Sequence, residues 1–205
     1  QKEKFSQDFS AAKCTGFLIS NKHLLTAGHC IKKERDCRNF KWVFDFTEEH
    51  FSQKFYDPYN IIKVSLPQKN VFSCQKIISR SFNKETKLDY ALIELDRPVL
   101  DREPLKLGGY STLHETQEFV LIGHPSGLTT KISDNGYLID RDHHELLIFK
   151  TNLDAFHGNS GSPVIDKKTN RVEGILIKGE KDYVGKYCQT PKVCQKEGGC
   201  QGEEV

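Results

Sequence analysis

The sequence predicts an all-β protein, either a barrel or a sandwich, and three observations support this fold class. Helical periodicity is hard to find along the chain. Short apolar or alternating runs recur instead, and turn residues bound them. These runs provide ten or more short strands, which is typical of all-β barrels and sandwiches.

The predicted strands follow one another at short intervals. Residues 16–20 form the first run, and the turn-like pair Asn21 and Lys22 separates it from a second run at residues 23–29. Further runs lie at 41–46, 60–66, 75–82, 90–95, 118–124, 136–140, 145–150, 162–166 and 172–179. The polar stretch from Asp101 to Gln117 is the candidate connection between two halves of the molecule. The polar, cysteine-rich segment from Asp182 to Val205 is expected to be a stapled extension rather than core.

Length and composition indicate a globular protein. The chain has 205 residues, of which 37% are hydrophobic and 28% charged, with a net charge of +2. Because the charges are balanced, we expect neither a nucleic-acid nor a membrane partner. Lys32, Lys33 and Arg35 are interrupted by Glu34 and Asp36, as on a solvated face. Since no apolar run approaches the roughly 20 residues that span a bilayer, we expect a soluble protein.

The cysteines indicate an oxidising compartment. The chain has seven of them and no methionine, even at position 1, which predicts a processed, secreted or periplasmic form. Cys188, Cys194 and Cys200 lack the close C-x2-C pair usual for zinc, so a zinc site is not expected. The odd count leaves one cysteine free or paired outside the chain. His143 and His144 are interpreted as a hairpin turn rather than metal ligands.

Three residues could together form a nucleophilic site. Ser160 lies in "HGNSGSPV", between glycines, and a serine hydroxyl needs a base that is itself oriented by a third group. His29 follows an apolar run in "LLTAGHC", and Asp89 precedes one in "LDYALIEL". Alone, each has a simpler interpretation: a turn for Ser160, a partly buried structural histidine for His29 and a turn aspartate for Asp89.

Together these segments resemble the chymotrypsin-like (trypsin-like) serine proteases. "CTGFLISNKHLLTAGHC" is similar to the family's histidine motif, "DYALIEL" to its aspartate motif and "GNSGSPV" to its serine motif. Asn159, Ser162 and the "LIGHPSGL" loop are similar to the bacterial branch that contains glutamyl endopeptidases and HtrA-type proteases. The resemblance extends from about Cys14 to Gly179.

The resemblance implies two packed six-stranded antiparallel β-barrels with the active site in the cleft between them. Residues 1–105 would form the barrel that carries His29 and Asp89. Residues 106–205 would form the barrel that carries Ser160, with the cysteine-rich extension from about residue 182. Cys14 and Cys30 match the family's disulfide around the histidine motif. Cys37 and Cys74 flank the insert between His29 and Asp89 and are expected to pair.

The implied activity is that of a secreted serine endopeptidase acting on proteins or peptides. His29 would be the general base and then the general acid, Asp89 would orient it, and Ser160 would form the acyl-enzyme. The N–H groups of Gly158 and Ser160 would form the oxyanion hole. No metal or organic cofactor is implied, and we expect a monomer. The alternative is a catalytically silent or very narrowly specific protease-like binding module.

Two departures from the family pattern carry further expectations. Asn159 stands where relatives activated by a new N-terminus have an aspartate, so we expect no terminal salt-bridge switch. Ile177 stands where digestive relatives have a serine that supports the aspartate. The orientation of Asp89 is therefore expected to come from backbone N–H groups near His29.

The substrate preference stays open between a basic and an acidic residue. Asp154 lies six residues before Ser160, where trypsin-like enzymes carry the aspartate that selects lysine or arginine. His157 and Lys178 could instead meet a carboxylate, although Leu176 stands where glutamyl endopeptidases place a histidine. The strand that contains Ile177, Lys178 and Gly179 is expected to pair with the substrate backbone.

Overall fold

The computed structural model describes residues 5, 8–51, 55–56, 62–63, 65–109, 113–141, 148–184, 190–191 and 202–205. Strands dominate it, with one α-helix, α1 (Glu34–Asn39), and three 3-10 helices (Glu48–Phe51, Gln68–Asn70 and Pro125–Gly127) among these residues. The strands are β1 (Gly16–Leu18), β2 (His23–Thr26), β3 (Lys41–Val43), β4 (Phe55–Tyr56), β5 (Ile62–Lys63), β6 (Val71–Phe82), β7 (Asp89–Leu95), β8 (Lys106–Leu107), β9 (Glu118–Gly123), β10 (Lys131–Arg141), β11 (Phe149–Thr151), β12 (Pro163–Asp166), β13 (Arg171–Ile175), β14 (Tyr183–Val184), β15 (Thr190–Pro191) and β16 (Glu203–Glu204).

The first large sheet has the strand order β1-β2-β7-β6-β3, with antiparallel neighbours throughout. Alternation along β7 buries Ala91, Ile93 and Leu95 on one face, as the two-residue period of a strand requires. Register shifts in β6 bend the sheet around this face. The enclosed core cluster is Leu18, Leu24, Ile31, Cys37, Phe72, Cys74, Ala91, Ile93, Leu95 and Val99.

The second large sheet has the order β16-β11-β10-β9-β12-β13-β8. Adjacent strands in this sheet are antiparallel except β13 and β8, which run parallel with Arg171 opposite Lys106. β9 buries Phe119 and Leu121 on the same face. A second core cluster lies against this sheet: Phe119, Leu121, Phe149, Leu153, Val164, Leu176 and Val205.

The all-β prediction with two curled sheets is confirmed, because each large sheet encloses its own core cluster. The strand numbers differ from the six expected for each barrel. The two sheets have five and seven strands among the described residues, and one strand pair is parallel rather than antiparallel. Two of the seven strands in the second sheet are the two-residue edge strands β8 and β16, and β8 forms the parallel pair.

The expectation that the chain from Asp182 onward lies outside the core is wrong for its last described residues. β16 pairs with β11 through Glu203 opposite Thr151. Val205 is 5% exposed and packs in the second core cluster. The apolar side chain of Val205 thus contributes to the core although its surroundings in the sequence are polar. Cys188, Cys194, Cys200, His143 and His144 lie outside the described residues.

The charged stretch after His29 forms α1, which the sequence analysis did not predict. Lys32, Lys33 and Arg35 are exposed, as expected for a solvated face. Cys37 is the buried residue of this helix, and its disulfide to Cys74 is confirmed. The helix is therefore tied to β6 on the inner side of the first sheet.

Candidate active site

Strand pairing brings His29 and Asp89 together. β2 lies beside β7 with Thr26 opposite Ala91, so the turn after β2 meets the first residue of β7. His29 Nδ1 lies 2.6 Å from Asp89 Oδ2, and the backbone N–H of His29 donates to Asp89 Oδ1 at 2.8 Å. The side chains are 27% and 11% exposed, respectively. The carboxylate of Asp89 thus contacts the imidazole ring at Nδ1, and part of the ring stays exposed to solvent.

The second of these contacts supplies the orientation of Asp89 that Ile177 cannot provide. Both carboxylate oxygens of Asp89 are occupied by the same residue, which fixes the plane of the carboxylate relative to the ring. The turn is held from the neighbouring strand as well, because Arg80 Nε donates to the carbonyl of Gly28 at 2.9 Å. A Cβ at Gly28 would lie 1.9 Å from the carbonyl oxygen of Ser81, so this close approach requires glycine.

Ser160 lies in the loop between β11 and β12, and residues flanking β1 and β2 contact this loop. The N–H of Thr15 donates to the carbonyl of Ser160 at 2.8 Å. Cys30 Sγ lies 3.7 Å from the same oxygen. The Cys14–Cys30 disulfide, confirmed here, joins these two contacts. The described contacts contain no hydrogen bond between the His29 ring and Ser160 Oγ, and such catalytic bonds are often long in unliganded enzymes.

The glycines around Ser160 are required by the backbone. Gly158 has φ +104° and Gly161 has φ +88°, in the region that side chains disfavour. A Cβ would lie 2.3 Å from the carbonyl oxygen of His124 at Gly158, and 2.2 Å from that of Thr15 at Gly161. The N–H groups of Gly158 and Ser160 donate to no other described residue. Both donors are therefore available to an acceptor beside Ser160.

The chain that precedes Cys14 packs against the loop behind Gly158. Ala11 and Ala12 donate from their N–H groups to the carbonyl of Gly127 at 2.9 and 3.0 Å. Asn159 is buried, and its N–H donates to the carbonyl of Phe156 at 2.9 Å. Gln1 lies outside the described residues.

A cavity of about 290 Å³ opens beside Ser160. Of the residues predicted to bind substrate, His157, Lys178 and Gly179 line this cavity. Asp154 and Ile177 are not among the described residues that line it. The full lining is Ala155, Phe156, His157, Ser160, Leu176, Lys178, Gly179, Glu180, Lys181, Asp182 and Glu203.

The segment that follows β13 has backbone groups available for a substrate strand. Its inner side pairs with Glu204, because the N–H of Ile177 donates to the Glu204 carbonyl at 3.0 Å and the Glu204 N–H donates to the Lys178 carbonyl at 2.8 Å. The carbonyl of Ile177 and both backbone groups of Gly179 have no partner among the described residues. An extended peptide could pair with these backbone groups.

Glu203 is the residue that the sequence analysis missed. It lines the cavity with Ser160 and is 3% exposed. Burial raises the pKa of Glu203 to about 8, and the negative charges of Glu180, Asp182 and Asp154 act in the same direction. A backbone hydrogen bond from Glu180 opposes this shift. The local sequence around Glu203 does not predict that it lies at the cavity, because only the folded sheet brings β16 there.

One group of side chains in the described residues has metal-ligand spacing: Cys14, His29 and Cys30, with ligand atoms within 4.8 Å of one another. The two sulfurs are bonded to each other. A disulfide sulfur is not the thiolate that binds metal ions. The group therefore offers His29 as its single ligand.

Comparison with known families decides where the chain belongs. The family model described as "Trypsin-like peptidase domain" matches residues 14–175, which contain His29, Asp89 and Ser160. The chain belongs to this family. The predicted resemblance to chymotrypsin-like proteases is thereby confirmed.

One curated relative of this trypsin-like domain shares about a quarter of its residues over the matched region. The glutamyl endopeptidase of Bacillus licheniformis is 26% identical over 166 residues, which are 79% of this chain and 48% of that protein. The trypsin-like domain thus spans about half the length of this curated relative.

Solved structures show the same fold. A Glu endopeptidase is similar with a TM-score of 0.55 and 17% identity, covering 84% of this chain and 77% of that one. The serine endoprotease from Yersinia pestis is similar with a TM-score of 0.52 and 17% identity, covering 82% of this chain and 48% of that one. The trypsin-like domain therefore has the fold of both proteases.

Proposed function

We propose that this chain is a serine endopeptidase that hydrolyses peptide bonds through His29, Asp89 and Ser160. The observation that carries the proposal is the two-point contact between Asp89 and His29, at 2.8 and 2.6 Å, beside the loop that carries Ser160. Membership of a peptidase family supports it. Substrates are proteins or peptides in extended conformation, paired with the free backbone groups of Ile177 and Gly179.

The reaction begins when His29 takes the proton of Ser160 Oγ and the oxygen attacks the scissile carbonyl carbon. The carbonyl oxygen becomes an oxyanion, which the N–H groups of Gly158 and Ser160 stabilise. The imidazolium, stabilised by Asp89, then gives its proton to the leaving amine as the C–N bond breaks. Water repeats the sequence on the acyl-enzyme: His29 takes its proton, the acid product leaves and Ser160 recovers its hydrogen.

We infer that the protein works in an oxidising compartment, as a secreted or periplasmic enzyme. The disulfides Cys14–Cys30 and Cys37–Cys74 support this location, because cytosolic thiols are kept reduced. The division at residues 105 and 106 into two domains, the monomeric state and the lack of nucleic-acid and membrane partners stay predictions. In the described part of the chain, no helix combines the length and the apolar character needed to cross a bilayer.

Two measurements test the activity. A fluorophosphonate should label Ser160 in the natural chain and leave Ser160→Ala unlabelled, with the modified peptide identified by mass spectrometry. A diverse peptide mixture should be cut by the natural chain and left intact by Ser160→Ala.

The pattern of outcomes separates the two candidate functions. Labelling together with cleavage establishes the endopeptidase. Labelling without cleavage of the mixture indicates an enzyme with a very narrow target. If the folded chain is not labelled and cuts no peptide, the proposal is contradicted and a protease-like binding module is favoured.

A further inference from the structure

The cavity beside Ser160 has a buried carboxyl group among its lining residues, contributed by Glu203 of β16. We propose that Glu203 selects the substrate by binding the cation of the lysine or arginine side chain that precedes the scissile bond. This inference rests on the proposed endopeptidase function. The sequence left the preference open and offered Asp154 as the residue that would select a basic side chain, but Asp154 is not among the described residues lining the cavity. The inference assigns that selection to Glu203, which lies outside every family motif quoted above.

The first argument is that Glu203 lacks a partner for one oxygen. Its Oε2 is buried and has no hydrogen-bond partner among the described residues. Buried polar atoms are nearly always paired, so an unpaired carboxyl oxygen on a residue that lines the cavity points to a missing donor. Gly179 shapes the wall, because a Cβ there would lie 2.1 Å from Oε2 of Glu203. The glycine thus leaves the room that the carboxylate occupies.

The second argument is the sign of the charges around Glu203. Glu180 and Asp182 line the same cavity, and Asp154 is close enough to repel Glu203. Glu180 Oε1 accepts from the N–H of Gly202 at 3.2 Å, and Asp182 Oδ2 accepts from the N–H of His157 at 2.9 Å. A cavity with a concentration of buried and half-buried carboxylates stabilises a bound cation.

The third argument is that the basic side chains of the lining do not neutralise Glu203. Lys178 forms its ion pair with Glu204, at 3.4 Å, and its side chain is 69% exposed. Lys181 and His157 also line the cavity and are exposed to solvent. Recognition of an acidic residue through Lys178 or His157 would place another carboxylate into the cavity that Glu180 and Asp182 line. Repulsion from these two carboxylates disfavours that alternative.

The cavity also suits the shape of a long basic side chain. Ala155, Phe156 and Leu176 provide apolar wall in the cavity that Ser160 and the acidic groups also line. Lysine and arginine bury their methylene stems against such surfaces and keep the charge at the end. A guanidinium or ammonium group would give Glu203 Oε2 the charge-assisted hydrogen bond that it lacks.

The main experiment measures binding separately from catalysis. Benzamidine, an aromatic amidinium, is titrated into the Ser160→Ala chain and followed by calorimetry. We expect binding, and Glu203→Gln in the same background should weaken it roughly 30-fold or more, since it removes one partner of a desolvated charge pair. Glu204→Gln removes the same charge from the next residue of the strand and should change the affinity by less than about threefold.

A second measurement needs no substitution at Glu203. Raised by burial, the pKa of Glu203 lies near 8 in the unliganded chain, so the carboxylate that binds a cation forms only as the pH rises through this value. The groups that face it are Glu180, Asp182, Asp154, Lys178, Lys181 and His157, with Glu204 on its own strand. Benzamidine affinity should rise about tenfold or more between pH 6 and pH 9 and then level off. Binding at pH 7 should release a proton.

The outcomes separate this inference from the proposed function. Benzamidine binding that depends on Glu203, together with cuts after lysine and arginine, supports both. Fluorophosphonate labelling of the natural chain without benzamidine binding overturns the role of Glu203 and leaves the endopeptidase intact. Benzamidine binding without labelling supports the cation site and overturns the activity. An affinity that Glu203→Gln leaves unchanged, in a variant that retains labelling at Ser160, also overturns the inference.

Discussion

Asp89 contacts His29 twice, once at the ring and once at the backbone, and the two contacts use different oxygens of the carboxylate. A carboxylate bound at one point could rotate about its terminal bond. Bound at two points of the same residue, it fixes the ring as a unit with the turn that carries it. The hydrogen on Nδ1 then faces Asp89, and Nε2 is left as the basic nitrogen.

Replacing Asp89 by asparagine should lower kcat/KM about 10⁴-fold, because the amide no longer holds the productive tautomer of His29. The N–H of His29 can still donate to the remaining carbonyl oxygen, so the fold should persist. Peptide hydrolysis and the rate of fluorophosphonate labelling measure the effect, and near-ultraviolet circular dichroism checks the fold. A loss below tenfold in a folded variant would remove Asp89 from the proposed triad.

Replacing Gly158 by alanine should slow acylation of Ser160 on the order of 100- to 1000-fold, the range observed when one oxyanion donor is lost. The cause is steric: the new Cβ would lie 2.3 Å from the carbonyl oxygen of His124, at φ +104°. The loop must shift and carry its N–H away. Gly109→Ala is the matched control, since a Cβ there has no atom within 4 Å. Equal labelling rates for the two variants would contradict the assigned donor.

Removing the Cys37–Cys74 disulfide by a double alanine substitution should lower the free energy of unfolding by about 3–4 kcal/mol. The bridge closes a loop with a sequence separation of 37 and ties α1 to β6. The labelling rate of Ser160 should change little. The corresponding Cys14→Ala/Cys30→Ala variant should slow labelling, because Cys30 contacts the Ser160 loop. Urea unfolding and labelling kinetics distinguish the two bridges, and identical behaviour would argue against separate roles.

Glu203→Gln should make the protein less sensitive to alkaline pH. The pKa of Glu203 is raised from 4.5 to about 8 in the folded chain. Between these values the folded state holds a proton that the unfolded state releases. The resulting stability is complete below about pH 4.5 and is lost as the pH rises through about 8.

From pH 6 to pH 9 the natural chain should therefore lose on the order of 2 kcal/mol more than Glu203→Gln. Urea unfolding of both at the two pH values provides the comparison. Glu204→Gln should follow the natural chain. If Glu203→Gln loses as much free energy of unfolding between pH 6 and pH 9 as the natural chain, the Glu203 carboxyl group titrates over the same pH range in the folded and unfolded states.

The positions of His29 and Asp89 beside strands could be predicted from the sequence, because each residue adjoins an apolar run. The pairing of β2 with β7, on which their contact depends, joins two strong apolar runs. The core positions of β7 follow from simple alternation. Apolar runs and alternation are local patterns, and they predict the structure correctly here because the tertiary packing favours the same strands and the same buried faces.

β10 shows where local signals mislead. The predicted strand began at residue 136, whereas β10 extends over Lys131–Arg141. Asp134, Asn135 and Gly136 resemble a turn, and Asn135 has φ +59°. The structure accommodates them within the strand as a register shift between Ser133 and Gly136. A bulge and a turn use the same residues, and only the partner strand decides between them.

The short elements were missed for a different reason. α1 has six residues, too few to display a helical period, and β16 consists of two glutamates. Nothing in a pair of acidic residues predicts burial. Glu203 becomes buried because β11 accepts β16 at the sheet edge, and that pairing is a property of the assembled sheet.

Ser160 and Glu203 line one cavity but come from segments with a sequence separation of more than 40 residues. Ser160, the proposed nucleophile, belongs to a loop that contains two glycines with positive φ and that contacts a disulfide. Glu203 belongs to an edge strand whose backbone pairing is indifferent to side-chain identity. Preference for one peptide over another can therefore diverge among descendants of this sequence while the bond-breaking machinery stays unchanged.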